Sequence, residues 1–508
     1  MLPVMTSLLV LSCAENKSFR DVSAPYYSEV SYESAIAEDV FIPSEDNRDK
    51  FEEFEDNAFV KVASKPTSTF SVDADGASYA IMRRYVESDR RVPVSSVRIE
   101  EFLNYFTFDY PSPTDGNTVA LNAEVGDCPW NQEHLLLRLG IKGKELSQEE
   151  IPQANFVFLV DVSGSMYSSD KLDLLKSGLI ELVDKLNPND RISLITYSGS
   201  VKKLLESTPV RESETIKKAI KKLKAAGSTA GGEALKMAYE EALANYNPKY
   251  NNRVIMGTDG DFNVGVSNTD ELVEMVEKYA KEGIYMTCLG FGSGNLNDEM
   301  MEKISNSGNG TYQYIDSEDE MMKVFVHERE RFVSVANDSK CQVTFAKDLV
   351  ESYRLVGYEN RVMNDEDFKD DKKDAGEIGA GQTITALYEI VPSAKFRQLL
   401  KARGGKKDII ATFDFRYKKT LDSPSKPLKL TITAEDLNNK VMSENLSLAA
   451  GVTVYGMLLR NSPHKGEGTM KMAKELVKNS LNFDPHGYRA ELLKLMNKVD
   501  LEEDDDID

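Results

Sequence analysis

The segment 154–333 places the tightest limit on what this chain folds into. Short, continuously apolar runs alternate there with stretches that are amphipathic at helical spacing. Residues 156–161, 191–197, 253–259 and 284–291 read as strands. Between them, 171–186 carries Leu172, Leu175, Leu179, Leu182, Val183 and Leu186 on one stripe, and 214–223 and 233–246 read as helices. Apolar strands separated by amphipathic helices imply a mostly parallel, doubly wound sheet covered on both faces. In such α/β sheets, ligands collect at the carboxyl ends of the strands, where loops meet helix N-termini.

The flanks have a different texture. Residues 119–125 and 135–141 alternate apolar and polar, as half-buried strands do, but lack enough nearby partners to make a sheet. A second β-rich stretch includes 383–391, 409–417 and 428–434. The economical arrangement is one β-sandwich-like domain, in parts 119–153 and 334–447, with the α/β domain 154–333 inserted in it. Residues 119–143 should then pair with residues beyond 334. Residues 59–118 read as a small α/β segment with helices near 78–87 and 96–106, and 448–500 as a helical segment. Residues 13–58 resemble an acidic linker, and 501–508 a solvated acidic tail.

Five oxygen-bearing side chains fall at the edge of the central sheet. Asp161, Ser163 and Ser165 follow its first strand in the spacing Asp-x-Ser-x-Ser, with Gly164 read as permitting a tight turn. Thr229 sits in the loop Gly227-Ser228-Thr229, and Asp259-Gly260 ends another strand. Such a set suits a hard cation, Mg²⁺ foremost, with Mn²⁺ or Ca²⁺ as alternatives. With only two carboxylates, a bound ion keeps the capacity to take a carboxylate from a partner protein. The simpler reading is a helix cap and an ordinary turn.

Taken together and in this order, the set resembles the metal-ion-dependent adhesion site of von Willebrand factor type A domains. That resemblance implies Ser163, Ser165 and Thr229 as direct ligands, and Asp161 and Asp259 as direct or water-mediated ones. Phe70-Ser-Val-Asp73-x-Asp75, Val97-Arg-Ile-Glu-Glu-Phe102, Gly357-Tyr358-Glu-Asn-Arg361 and 483–495 resemble the flanking regions of YfbK-like bacterial envelope proteins. The resemblance implies architecture and envelope location without a defined ligand. It also implies that the helix expected over 318–332 can shift when the ion's ligands change.

Leu8 to Leu11 followed by Ser12-Cys13 resembles a lipoprotein signal over 1–12, with Cys13 lipidated; the short run and missing basic residues place the expected start upstream of Met1. This predicts a lipid anchor on the periplasmic or outer-membrane side of a bacterial envelope. A formal net charge of −22 over 508 residues excludes a nucleic-acid footprint and passive docking on anionic membrane. Cys128 and Cys341 pair or stay free with equal weight, and Cys288 reads as core. Asp73 and Asp75 read as a turn more readily than as a calcium site. Asp365, Asp367, Asp370, Asp371 and Asp374 read as a solvated hairpin, and Trp130 as packing. The four histidines are scattered, and neither GxSxG nor a phosphate-binding loop is present. The expectation is a metal-dependent protein-binding or adhesion module, not an enzyme. The alternatives are a structural envelope scaffold with a vestigial metal site, a subunit coupled to an ATPase, and a metal-dependent hydrolase.

Overall fold

The computed structural model describes residues 49–227, 231–260, 269–401, 407–437 and 442–499. The central sheet has six strands in the order Thr311–Ile315, Tyr285–Phe291, Asn251–Thr258, Ala154–Asp161, Arg191–Tyr197, Val201–Pro209. All neighbours run parallel except the last pair, where Val201–Pro209 returns antiparallel as an edge hairpin. Strand Ala154–Asp161 is buried throughout, which explains its unbroken apolar run. Phe156, Phe158 and Val160 face one core with Leu175, Leu179 and Phe325. Val157 and Leu159 face the other, with Leu235, Ala238 and Met301. Each such side chain fully removed from water contributes about 1.5–3 kcal/mol.

Two antiparallel sheets flank this domain. One has the order Val60–Lys61, Val350–Val356, Thr383–Pro392, Leu135–Gly143, Val119–Asp127. Strands Val119–Asp127 and Leu135–Gly143 find their missing partner in Thr383–Pro392, with Leu139 opposite Ala386 and Leu137 opposite Tyr388. The α/β domain is therefore inserted between strands of one sheet. The other sheet runs Val362–Met363, Thr67–Ser71, Ser334–Phe345, Ile409–Lys418, Lys426–Thr433, with Ile378–Gly379 also on Ser334–Phe345. Phe70, Val343, Phe413, Leu137, Leu139 and Ile390 share the core between the two.

Residues 59–118 do not stand apart. Val60–Lys61 pairs in one sheet and Thr67–Ser71 in the other, while helices Ala77–Glu87 and Ile99–Tyr105 join the core of the central domain. The helix expected over 318–332 runs from Glu318–Met322 into a wider turn Lys323–His327 and is interrupted at Glu328 before a tighter turn Arg329–Phe332. The C-terminal segment forms helices Glu444–Leu459, Met470–Lys478 and Tyr488–Lys498. Among the described residues no helix is long and apolar enough to cross a membrane. Cys128, Cys288 and Cys341 are free and buried, so Cys128 and Cys341 are not bridged. Trp130 is 1% exposed, as a packing residue should be. The Asp-rich stretch is dispersed: Asp365 accepts from Thr69 Oγ1 at 2.8 Å, and Asp371 pairs with Arg416 at 2.9 Å.

Candidate metal centre

Strand Ala154–Asp161 carries Asp161 to the carboxyl edge of the sheet, where the side chain is fully buried. Asp161 Oδ1 accepts the backbone N–H of Ser163 at 2.8 Å, and Oδ2 accepts the Thr258 hydroxyl at 3.1 Å. These bonds turn the chain so that Ser163 and Ser165 bring their Oγ atoms to 2.9 Å from each other. Gly164 opens the tight turn Gly164–Tyr167, but it does not need a left-handed backbone. Its N–H donates to the Gly227 carbonyl at 2.9 Å, and Gly227 and Gly260 at this rim have positive φ. A side chain at Gly260 would lie 2.4 Å from the backbone nitrogen of Asn297, so the close approach of those two loops requires glycine.

Asp259 is also fully buried. Its Oδ2 is 3.0 Å from the ammonium of Lys171, which also reaches Asn295 Oδ1 at 3.2 Å. Lys171 lies in the wide turn Ser169–Asp173 that precedes helix Leu174–Lys185, and is buried there. The stripe that suggested a helix from residue 171 hid this role. Thr258 and Asn295 escaped sequence reading for a similar reason: each acts through a neighbour on another loop. Thr229 lies outside the described residues, as does Cys13.

The residues present suit a small hard cation. All donors are oxygens, and an octahedral ion with bonds of 2.0–2.1 Å has adjacent ligands about 2.9 Å apart, the Ser163–Ser165 separation. Burial pushes the Asp161 carboxyl up to about 6; the Ser163 bonds oppose this, and the charge of Asp259 adds to it. A carboxyl poised in this way ionises fully when a cation shares its site. Lys171 offsets one of the two carboxylates, so the pair and the ammonium together leave a single formal negative charge. The histidines are less scattered than the sequence suggests. His327 and His486 stack with centroids 4.5 Å apart, and His327 Nδ1 lies 3.1 Å from the Tyr488 hydroxyl. Both lie on elements other than those that form the serine site.

Comparison with known proteins shows the family. Residues 155–327 match the von Willebrand factor type A domain, 45–138 match a family described as von Willebrand factor, and 330–501 match the C-terminal region of protein YfbK. The chain is 35% identical to YfbK of Escherichia coli over 473 residues, 89% of this chain and 81% of that protein. It is 29% identical to protein sll0103 of Synechocystis over 42% of this chain and 49% of that one. Among solved structures, a von Willebrand factor type A protein from Catenulispora acidiphila is 15% identical with a TM-score of 0.44, covering 77% of this chain and 91% of that one. With a type A domain at its centre and both flanks matched, the chain belongs to the YfbK family of von Willebrand factor type A proteins.

Proposed function

We propose that this chain is a divalent-metal-dependent protein-binding module of the bacterial cell envelope, with no catalytic role. The observation that carries the reading is the Ser163–Ser165 hydroxyl pair at 2.9 Å, set above buried Asp161 and Asp259. Mg²⁺ is the ion of first choice, with Mn²⁺ or Ca²⁺ as substitutes, and Thr229 is assigned as a further ligand. When bound, the ion supplies a positive centre for an acidic side chain of the partner protein. The protein's part is to keep that centre undersaturated. Lys171 neutralises Asp259, so a divalent ion over the remaining single charge retains a net positive charge toward the outside. Ser165 is exposed at the rim, and Tyr167 two residues on is 83% exposed. An exposed tyrosine beside a polar centre is the kind of side chain that anchors interfaces. Lipidation at Cys13 would tether the module to a membrane.

Calorimetric titration with Mg²⁺ and Mn²⁺ tests the reading. Asp161→Ala, or Ser163→Ala with Ser165→Ala, should weaken binding by about a hundredfold or more while circular dichroism stays native. Partner capture from envelope extract should disappear with chelator. Wild-type affinity for the ion in Asp161→Ala would sink the adhesion-site reading, and turnover of generic phosphatase or esterase substrates would sink its non-catalytic half.

A further inference from the structure

The serine site has a cation of its own. Lys171 places its ammonium 3.0 Å from Asp259 Oδ2 and 3.2 Å from Asn295 Oδ1, with only 10% of its side chain exposed. A lysine stem is flexible and stays in one place only when it is held. What holds this one lies on other segments of the chain.

The stem runs over Gly292, which follows strand Tyr285–Phe291 and has a φ of +67°. A side chain at Gly292 would lie 2.0 Å from Lys171 Cε, so glycine here makes room for the lysine. The Gly292 carbonyl accepts from Arg84 Nη1 at 2.8 Å and from the Tyr314 hydroxyl at 2.5 Å. Asn295, on the same loop, supplies the second oxygen on the ammonium. Residues 292–297 thus form the cradle of Lys171.

That loop is strapped down from outside the central domain. Asp49 Oδ1 accepts the backbone N–H of Gly294 at 2.8 Å and that of Leu296 at 3.0 Å. Its Oδ2 accepts from Arg84 Nη2 at 2.7 Å and from the Tyr85 hydroxyl at 3.1 Å, both on helix Ala77–Glu87. Lys50 continues the strap. Its N–H donates to the Leu296 carbonyl at 2.8 Å, and its carbonyl accepts from the Asp298 N–H at 3.1 Å. The Asp49 carboxylate is fully buried although the residue stands on no helix or strand.

We propose that Lys171 sets the affinity of the serine site for its divalent ion, and that Asp49, acting through loop 292–297, keeps Lys171 in place; this rests on the adhesion-site reading above. The ammonium is a fixed positive charge on one oxygen of a carboxylate that the ion must share. Like charges a few ångströms apart in a buried site repel strongly, so the lysine and the ion bind in opposition. With the strap in place, the ion meets Lys171 held against Asp259 and is bound weakly. With the strap lifted, Asn295 withdraws with its loop, the ammonium loses its second acceptor, and the ion is bound more tightly. Asp49 is a positioning residue, acting through the backbone of the loop.

Calorimetric titration of the full chain with Mg²⁺ tests this. Lys171→Met keeps an unbranched stem over Gly292 and removes the charge, so it should bind Mg²⁺ at least about tenfold more tightly than wild type. Asn295→Ala and Asp49→Ala should each tighten binding by about threefold or more. In the Lys171→Met background Asp49→Ala should add nothing, because its effect runs through the ammonium. Equal or weaker binding in Lys171→Met overturns the proposal. So does unchanged or weaker binding in Asp49→Ala, or an Asp49→Ala effect of the same size in both backgrounds. Should Lys171→Met not fold, Asn295→Ala decides, since it frees the ammonium without removing a charge: tighter binding supports the proposal, and unchanged or weaker binding overturns it. Failure of the adhesion-site reading looks different: neither wild type nor any variant then takes up Mg²⁺, and the proposal falls with it.

Discussion

Asp161 is a residue under opposing demands. It ends a buried strand, accepts two hydrogen bonds, and lies near a second carboxylate. It is buried in the sheet edge and is not part of a surface loop, so truncating it to alanine also removes the acceptor for Ser163 N–H and the Thr258 hydroxyl. Asparagine keeps an acceptor and isolates the charge. The sign of its effect follows from linkage. In the metal-free protein the folded carboxyl, at about 6, binds its proton more tightly than the unfolded one, so stability from this group is highest below the unfolded value and falls as pH rises toward 6. In denaturant titrations with chelator, Asp161→Asn should therefore gain on wild type by about 2–3 kcal/mol between pH 4 and pH 7.5. A difference that does not vary with pH would show that Asp161 is not held up by burial. The residues of this site that were legible in sequence, Asp161, Ser163, Ser165 and Asp259, are those whose oxygens follow directly from strand ends. Lys171 and Thr258 were not legible, because each works by touching a carboxylate more than 85 positions away in the chain.

At the scale of elements, periodicity located the strands well and their partners poorly. The alternation in 119–141 gave two orphan strands and correctly demanded a partner beyond 334, because a half-buried ladder needs one. Nothing local tells Val60 that it pairs with Tyr353, or Phe70 that it lies opposite Cys341. The helix expected over 318–332, implied to be able to shift, widens after Met322 and is interrupted at Glu328, and its first turns are tied to the N-terminal segment. Arg83 of helix Ala77–Glu87, 3% exposed in its side chain, donates to Asp316 from Nε at 2.8 Å, to Glu320 at 2.7 Å and to the Tyr105 hydroxyl at 2.9 Å. Tyr105 in turn donates to Glu320 at 2.7 Å. Any shift of this segment must part it from the N-terminal helix. Removing a buried partner leaves its carboxylates without compensation, so Arg83→Met should lower stability by about 3–5 kcal/mol. Urea unfolding measures it, and a loss below about 1 kcal/mol would mean that the network is solvated and the segment free to move.

The same junctions decide how the described body unfolds. Several domains in one chain would ordinarily melt in several steps, because interfaces between domains are small and polar. Here one continuous core runs through Ile99, Phe102 and Leu103 of the N-terminal helices, Val157, Leu159 and Met256 of the central sheet, and Leu448, Val452 and Tyr455 of the C-terminal helix. Helix Glu444–Leu459 is apolar around most of its circumference and buried from Leu446 to Met457, so it is stable only while wrapped by the other segments. Edge strand Thr311–Ile315, with Tyr312 and Tyr314 almost wholly buried, is packed in the same core as helix Ala77–Glu87, and Arg84 of that helix donates to the Tyr314 hydroxyl at 2.6 Å. The type A domain cut out as 154–333 would expose that edge and lose the covering it depends on. Scanning calorimetry of the full chain should therefore give one transition for residues 49–499, with the calorimetric enthalpy close to the van't Hoff value. The excised domain should melt well below it or aggregate. Two or more resolved transitions in the full chain, or an excised domain as stable as the whole, would show that the shared core does not couple the segments.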